Sequence, residues 1–114
     1  MIIQLFGTKK CPETRKAERF FKDRNIDYQF RDLMDKPPSR GELEAILRQV
    51  GVAALIDTAG KQYRNGGWAY REFDPLETLL AEPGLYRTPI IRGNQGAMSG
   101  FDEKQLKVFL SAEK

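Results

Sequence analysis

The sequence predicts a single α/β domain in which a βαβ unit and a ββα unit share a mixed four-stranded sheet, with a helical insertion between them at about 39–84. Three observations carry this expectation. An apolar run opens the chain and is followed by a helical stripe and then an alternating segment. Two helix-start signals sit in the middle. Near the end, a β-branched pair and a glycine-flanked turn precede a closing amphipathic stretch.

Residues 2–6, with Ile2, Ile3, Leu5 and Phe6, are a short apolar run ended by Gly7-Thr8, the pattern of a buried central strand. Pro12 suits the first turn of a helix, where its missing N–H costs nothing. Ala17, Phe20 and Phe21 then fall on one face, so the spacing predicts a helix over about 12–24. From Ile26 to Arg31 the chain alternates, with Ile26, Tyr28 and Phe30 against Asp27, Gln29 and Arg31, the period of a strand with one buried face.

Lys36-Pro37-Pro38 breaks the pattern, and Ser39-Arg40-Gly41-Glu42 is a capping box for a helix carrying Leu43, Ile46, Leu47 and Val50 and closed by Gly51. Residues 52–73 read as helices and loops without clear boundaries. A second capping box, Asp74-Pro75-Leu76-Glu77, opens a short helix with Leu76, Leu79 and Leu80 that stops before Pro83-Gly84. Leu85 to Arg92 then reads as a strand that Pro89 can enter without interrupting its ladder. Gly93-Asn94-Gln95-Gly96 forms a hairpin turn and Ala97 to Ser99 the return strand. Asp102-Glu103-Lys104-Gln105 caps a last helix with Leu106, Phe109 and Leu110 inward. This is the element order of a thioredoxin-like fold with a helical insert, its first crossover right-handed and its first two strands parallel.

The bulk composition agrees with one folded domain spanning 1–114. Hydrophobic residues make up 40% and charged residues 31%, far from the signature of disorder. A chain of 114 residues can bury roughly two-thirds of its unfolded surface. No apolar run approaches the ~18 to 20 residues of a membrane span, and residues 1–6 are too short for a signal-peptide core, so a cytoplasmic, membrane-free protein is expected. A single cysteine fits a reducing compartment.

With no histidine in the chain, Ser-His and Cys-His nucleophile pairs are excluded and no metal site is expected. Charge is unevenly spread. Residues 1–24 carry Lys9, Lys10, Arg15, Lys16, Arg19, Lys22 and Arg24 against Glu13, Glu18 and Asp23, a local excess of four positive charges in a chain whose net charge is +3. This segment lacks the regular basic and aromatic stripe of a nucleic-acid interface, so no nucleic-acid partner is expected.

Cys11 is the one candidate nucleophile. Lone cysteines are most often simply buried, but this one directly precedes a helix. There the free N–H groups of Glu13, Thr14 and Arg15 and the helix dipole favour a thiolate. Lys9, Lys10 and Arg15 add positive charge that acts in the same direction.

Cys11-Pro12-Glu13-Thr14-Arg15-Lys16-Ala17, then Phe20-Phe21 and Asn25-Ile26-Asp27-Tyr28, resemble the arsenate reductase and Spx-like family. Leu55-Ile56-Asp57-Thr58 with Gly60 and Tyr63-Arg64 is similar to that family's middle segment. Arg87-Thr88-Pro89-Ile90-Ile91-Arg92 with Gly100-Phe101 is similar to its closing signature. The resemblance spans nearly the whole chain. It implies catalytic roles for Cys11, Thr14 and Arg15 and substrate contacts from Thr88 and Pro89; Lys10 beside the cysteine, and Arg64, Arg87 and Arg92 as substitutes for family arginines that are missing here, are the further candidate substrate contacts. Pro89 would be the counterpart of the cis-proline of thioredoxin folds, whose preceding residue lies beside the cysteine.

The departures shape the expected chemistry. The further arginines that hold an oxyanion in glutathione-coupled arsenate reductases fall at Asp57, Thr88 and Phe101, so a tight arsenate pocket is not expected. The paired cysteines of the Spx switch are also missing, because Thr14 stands where the second would be. A low-molecular-weight phosphatase loop would need an arginine where Ala17 stands. The resemblance then implies a monothiol oxidoreductase with no bound cofactor, resolved by glutathione or a reducing thiol protein. The alternative is a non-catalytic regulatory module that contacts a protein partner such as RNA polymerase, as Spx-like relatives do.

Overall fold

A computed structural model describes residues 3–94 and 96–112. Ile2 of the expected first strand and Gln95 of the expected turn lie outside these residues. The central strand β1 (Ile3–Gly7) runs parallel to β2 (Tyr28–Asp32) on one side and antiparallel to β3 (Ile90–Arg92) on the other. Strand β4 (Ala97–Ser99) pairs antiparallel with β3, giving the order β2-β1-β3-β4.

Because successive strand residues face opposite sides, β1 and β3 each feed two cores. Ile3, Leu5 and Ile91 pack with Ala17, Phe20 and Phe21 of α1 (Pro12–Asp23) and with Leu106 and Leu110 of α6 (Glu103–Ala112). Phe6 and Ile90 face the other way, against Leu43 and Ile46 of α2 (Arg40–Val50) and the rest of the insertion. The architecture is therefore a sheet between two helical layers, as the sequence predicts.

The ends of α1 are set locally. Asn25 adopts the left-handed conformation at φ 54°, and the Ile26 N–H donates to the Phe21 carbonyl at 2.9 Å. That N–H closes the helix, so β2 begins at Tyr28 rather than at Ile26. Helix α2 has the full capping box: the Glu42 N–H donates to Ser39 Oγ at 3.2 Å, and the Ser39 N–H donates to Glu42 Oε1 at 2.9 Å.

The insertion continues through α3 (Val52–Leu55), α4 (Lys61–Asn65) and α5 (Pro75–Ala81), with single 3₁₀ turns at Trp68–Tyr70 and Pro83–Leu85. The second expected capping box is only half made. Asp74 accepts the N–H groups of Leu76 and Glu77 at 2.9 and 3.3 Å. Glu77 does not reach back, because its carboxylate is paired with the Arg40 guanidinium at 2.5 and 3.2 Å and ties α5 to α2.

The expected strand over Leu85–Arg92 is also shorter. Leu85 closes a 3₁₀ turn, the Asp57 N–H donates to its carbonyl at 3.0 Å, and the Arg87 N–H donates to the Leu55 carbonyl at 2.7 Å. This segment pairs with the insertion before the chain enters the sheet at Ile90. At the carboxy-terminal side, Asp102 accepts the Gln105 N–H at 3.0 Å and starts α6. Among the described residues no helix is long and apolar enough to cross a membrane.

Candidate functional site

The turn after β1 sets the position of Cys11. The Cys11 N–H donates to the Thr8 carbonyl at 3.1 Å, which folds Thr8-Lys9-Lys10-Cys11 into a tight turn and makes Cys11 the N-cap of α1. The sulfur thus sits just beyond the carboxyl end of the central strand. Thr14, one turn into α1, is wholly buried against Gly7, the last residue of β1. A Cβ at Gly7 would fall 2.6 Å from Thr14 Cγ2, so glycine is what lets helix and strand approach this closely.

From the opposite side comes Thr88. Its hydroxyl donates to Cys11 Sγ at 2.9 Å. The Thr88–Pro89 peptide bond is cis. Two neighbours fix this segment: the Ser99 hydroxyl donates to the Arg87 carbonyl at 2.7 Å, and the Gly100 N–H donates to the Pro89 carbonyl at 2.8 Å. Among the described residues the Thr88 N–H and carbonyl have no backbone partner.

Partial burial pushes the Cys11 thiol up, but the hydroxyls of Thr14 and Thr88 and the N–H groups of Thr14 and Glu13 outweigh it and hold the thiol below its ordinary value. These donors differ in kind. Among the described residues only the Thr88 hydroxyl makes a hydrogen bond to the sulfur. The thiol does not formally cap the helix, and Thr14 Oγ1 is buried without a partner among the described residues. A neutral thiol is a weak acceptor and a thiolate a strong one, so these groups stand ready for the ionised sulfur.

Hydrogen bonding dominates over surface charge. Lys9, Lys10 and Arg15 are all exposed, and water screens them from the sulfur. The Arg15 N–H, expected beside the sulfur, donates instead to the Cys11 carbonyl at 3.2 Å as the first helical bond of α1.

The structure brings Cys11, Thr14, Thr88 and Pro89 together, with Arg15 one turn along α1 and Lys10 adjacent in the turn. It does not bring Arg92 there. In the antiparallel register Phe6 faces Ile90 and Gln4 faces Arg92, so Arg92 lies toward the far end of β1 from Cys11. Its guanidinium is 3.6 Å from Glu42, which also holds Arg31 at 2.7 Å. Arg64 sits exposed on α4 and makes no side-chain hydrogen bond or ion pair among the described residues. Sequence reasoning did not single out Gly7, although a glycine ending a buried strand just before the cysteine was the available signal.

A surface depression of about 650 Å³ lies between Lys61, Trp68 and Glu82 of the insertion and includes none of the residues around the sulfur. Chemistry rather than cavity size therefore marks the site. Among the described residues no group of three or more His, Cys, Asp or Glu side chains is placed to hold a metal ion.

The ArsC family pattern matches residues 6–109, from the end of β1 into the last helix. The chain belongs to the ArsC family. Within the wider set of similar proteins, the global transcriptional regulator Spx 2 of Oceanobacillus iheyensis is 30% identical over 116 residues, covering 96% of this chain and 84% of that one. An arsenate reductase from Vibrio cholerae superposes with a TM-score of 0.81 over 95% of this chain and 97% of its own, at 20% identity. A glutaredoxin from Archaeoglobus fulgidus superposes with a TM-score of 0.50 at 14% identity, covering 95% of this chain and 84% of its own. At these identities the structural likenesses speak for the fold alone. The ArsC chain thus has a thioredoxin-like fold with a helical insert, and is arsenate reductase-like or Spx-like.

Proposed function

We propose that this ArsC protein is a monothiol oxidoreductase that uses Cys11 as its nucleophile in the reducing cytoplasm. The observation that carries this reading is the hydroxyl of Thr88 at 2.9 Å from a partly exposed sulfur whose thiol is held below its ordinary value. The Cys11 thiolate attacks one sulfur of a disulfide, forming a mixed disulfide while the other sulfur leaves as a thiolate with the bonding pair. With one cysteine in the chain, the resolving thiol must come from outside. A glutathione thiolate, or a reducing thiol protein, attacks the substrate sulfur of the mixed disulfide and returns Cys11 as thiolate.

The Thr88 N–H and carbonyl, without a backbone partner among the described residues, support this reading, since they can receive the peptide bonds of a thiol substrate such as glutathione. Arsenate reduction fits less well, because Asp57, Thr88 and Phe101 stand where oxyanion arginines would be needed. Intact-mass measurement after incubation with oxidised glutathione tests the proposal. A single glutathione adduct on the wild type and none on Cys11→Ser is the expected result; an unmodified wild-type chain rejects it.

A second reading is favoured by the relative named a global transcriptional regulator. In it the domain is a regulatory module that contacts a protein partner and Cys11 is dispensable. If Cys11→Ser kept full cellular activity and captured the same partner as wild type, this second reading would replace the first.

A further inference from the structure

We propose that the exposed face of α1 beside Cys11 selects disulfides that carry carboxylates, with Arg19 as a recognition residue one turn beyond Arg15. This rests on the thiol–disulfide exchange reading and adds a substrate class to it.

The cations of residues 9–24 fall into two groups. Lys16 is paired with Glu13 at 3.2 Å, Lys22 with Glu18 at 3.8 Å and Arg24 with Glu103 at 3.3 Å. Lys9, Lys10, Arg15 and Arg19 are exposed and have no ion pair among the described residues. Arg15 and Arg19 are spaced i, i+4, where like charges face each other and destabilise a helix. No carboxylate forms an ion pair with either of them among the described residues.

Both arginines line one groove of about 250 Å³ with Pro12 and Lys16. The groove is lined from Pro12, the residue after Cys11, close enough for the adjoining group of a disulfide at the sulfur to extend along this face. A second groove, of about 350 Å³, continues past Arg15 and Arg19 to Glu18, Lys22 and Asp23, where the acidic side chains reduce the positive field. The attraction is therefore strongest next to the sulfur.

In the exchange step the Cys11 thiolate bonds to one sulfur, the substrate S–S bond breaks, and the second thiolate departs with the electron pair. Carboxylates on the substrate pair with Arg15 and Arg19 on approach. Oxidised glutathione, which bears four carboxylates and two ammonium groups, is one molecule of this class.

The test compares three short disulfides, dianionic dithiodipropionate, neutral bis-hydroxyethyl disulfide and dicationic cystamine, on wild type and Arg19→Glu at low ionic strength. Arg19 is exposed and about 12 Å along the helix from Cys11, so the substitution leaves the sulfur's own donors in place. The expected result is a fall of about 3- to 10-fold in the rate with dithiodipropionate and a rise with cystamine, both shrinking at about 0.5 M salt. The rate with bis-hydroxyethyl disulfide should stay within about 1.5-fold, because it carries no charge for the field to act on. Equal rate ratios in both proteins, unaffected by salt, overturn the proposal while leaving thiol exchange standing. If none of the three forms a mixed disulfide with wild-type Cys11, the exchange reading itself falls and takes the proposal with it.

Discussion

Thr88 and Cys11, 77 positions apart in sequence, are joined by a hydrogen bond of 2.9 Å from the threonine hydroxyl to the sulfur. The contact exists because β3 runs antiparallel to β1, which returns the start of β3 to the end of β1 where the cysteine follows. Replacing Thr88 by Val keeps the shape and removes the donor. Alkylation of Cys11 by iodoacetamide at neutral pH should then slow by about 3- to 10-fold, the scale of one charge-assisted hydrogen bond partly open to water. Thr88→Ser should restore most of the rate. Equal rates in wild type and Thr88→Val would separate the hydroxyl from the chemistry.

The same donors make a prediction about stability against pH. Burial raises the Cys11 thiol, and the donor groups of Thr14, Thr88 and Glu13 lower it by more, to a net position below the ordinary 9.0. A group lowered in the folded state binds its proton more tightly when unfolded. Its contribution to stability is full above pH 9.0 and disappears as pH falls through the folded value. Wild type should therefore gain stability over Cys11→Ser as pH rises through that window. Urea melts of both proteins across the alkaline range measure it, and a difference independent of pH would contradict the lowered thiol.

Gly7 is where fold and site meet. A Cβ at this position collides with the Thr14 side chain, 2.6 Å from its Cγ2. Neither a β-strand end nor a buried helix residue yields easily, so Gly7→Ala should destabilise the domain by about 1–3 kcal/mol. Thr14 would be displaced along with the sulfur's surroundings, and Cys11 alkylation should slow. Chemical denaturation with a parallel thiol assay checks both, and loss of one without the other would show that Gly7 serves only packing or only chemistry.

Local signals were legible in the sequence wherever a short stretch determines its own geometry. The box at Ser39 and Glu42 is made in full because both partners are neighbours on α2. Strand period in residues 3–7 sorts Leu5 and Phe6 to opposite cores without reference to the rest of the chain. The misses depend on distant partners. Glu77 leaves its own helix start for Arg40, and Leu85 to Arg87 spend their backbone bonds on Leu55 and Asp57 of the insertion. For the site, the helix start at Cys11 was readable, whereas the position of Arg92 was not. Its placement follows from the pairing of Gln4 with Arg92, which nothing local specifies.

Glu42 bears on how α2 is held to the sheet, through Arg31 of β2 and Arg92 of β3. Burial raises its carboxyl, and the Ser39 N–H with the Arg31 guanidinium outweighs this, holding it below the ordinary carboxylate value. The stabilising contribution is thus present above that ordinary value and lost as pH falls through the folded one. Glu42→Gln should cost about 1–2 kcal/mol near neutral pH through the weakened cap and the lost pairs to Arg31 and Arg92, and markedly less near pH 3. Because neither Glu42 nor Arg92 is among the groups that act on the sulfur, neither Glu42→Gln nor Arg92→Gln should change Cys11 alkylation by more than about 2-fold, within the spread expected of independent sites. A large effect of Arg92→Gln on the thiol would return that arginine to the site.

Thr14 places stability and reactivity in opposition. Its hydroxyl is wholly buried with no partner among the described residues, and an unsatisfied buried hydroxyl costs about 1–3 kcal/mol. The same hydroxyl lowers the Cys11 thiol. Valine has the same branched shape without the oxygen, so Thr14→Val should raise the stability of the domain by about 0.5–2 kcal/mol and slow Cys11 alkylation at neutral pH. Thr14→Ser keeps the hydroxyl but loses a buried methyl, and should lower stability while preserving reactivity. Of the two variants, the valine should be the more stable and the serine the more reactive. If Thr14→Val destabilised the fold and left the thiol rate unchanged, the hydroxyl would be a packing detail, and the sulfur would depend on Thr88 and the start of α1 alone.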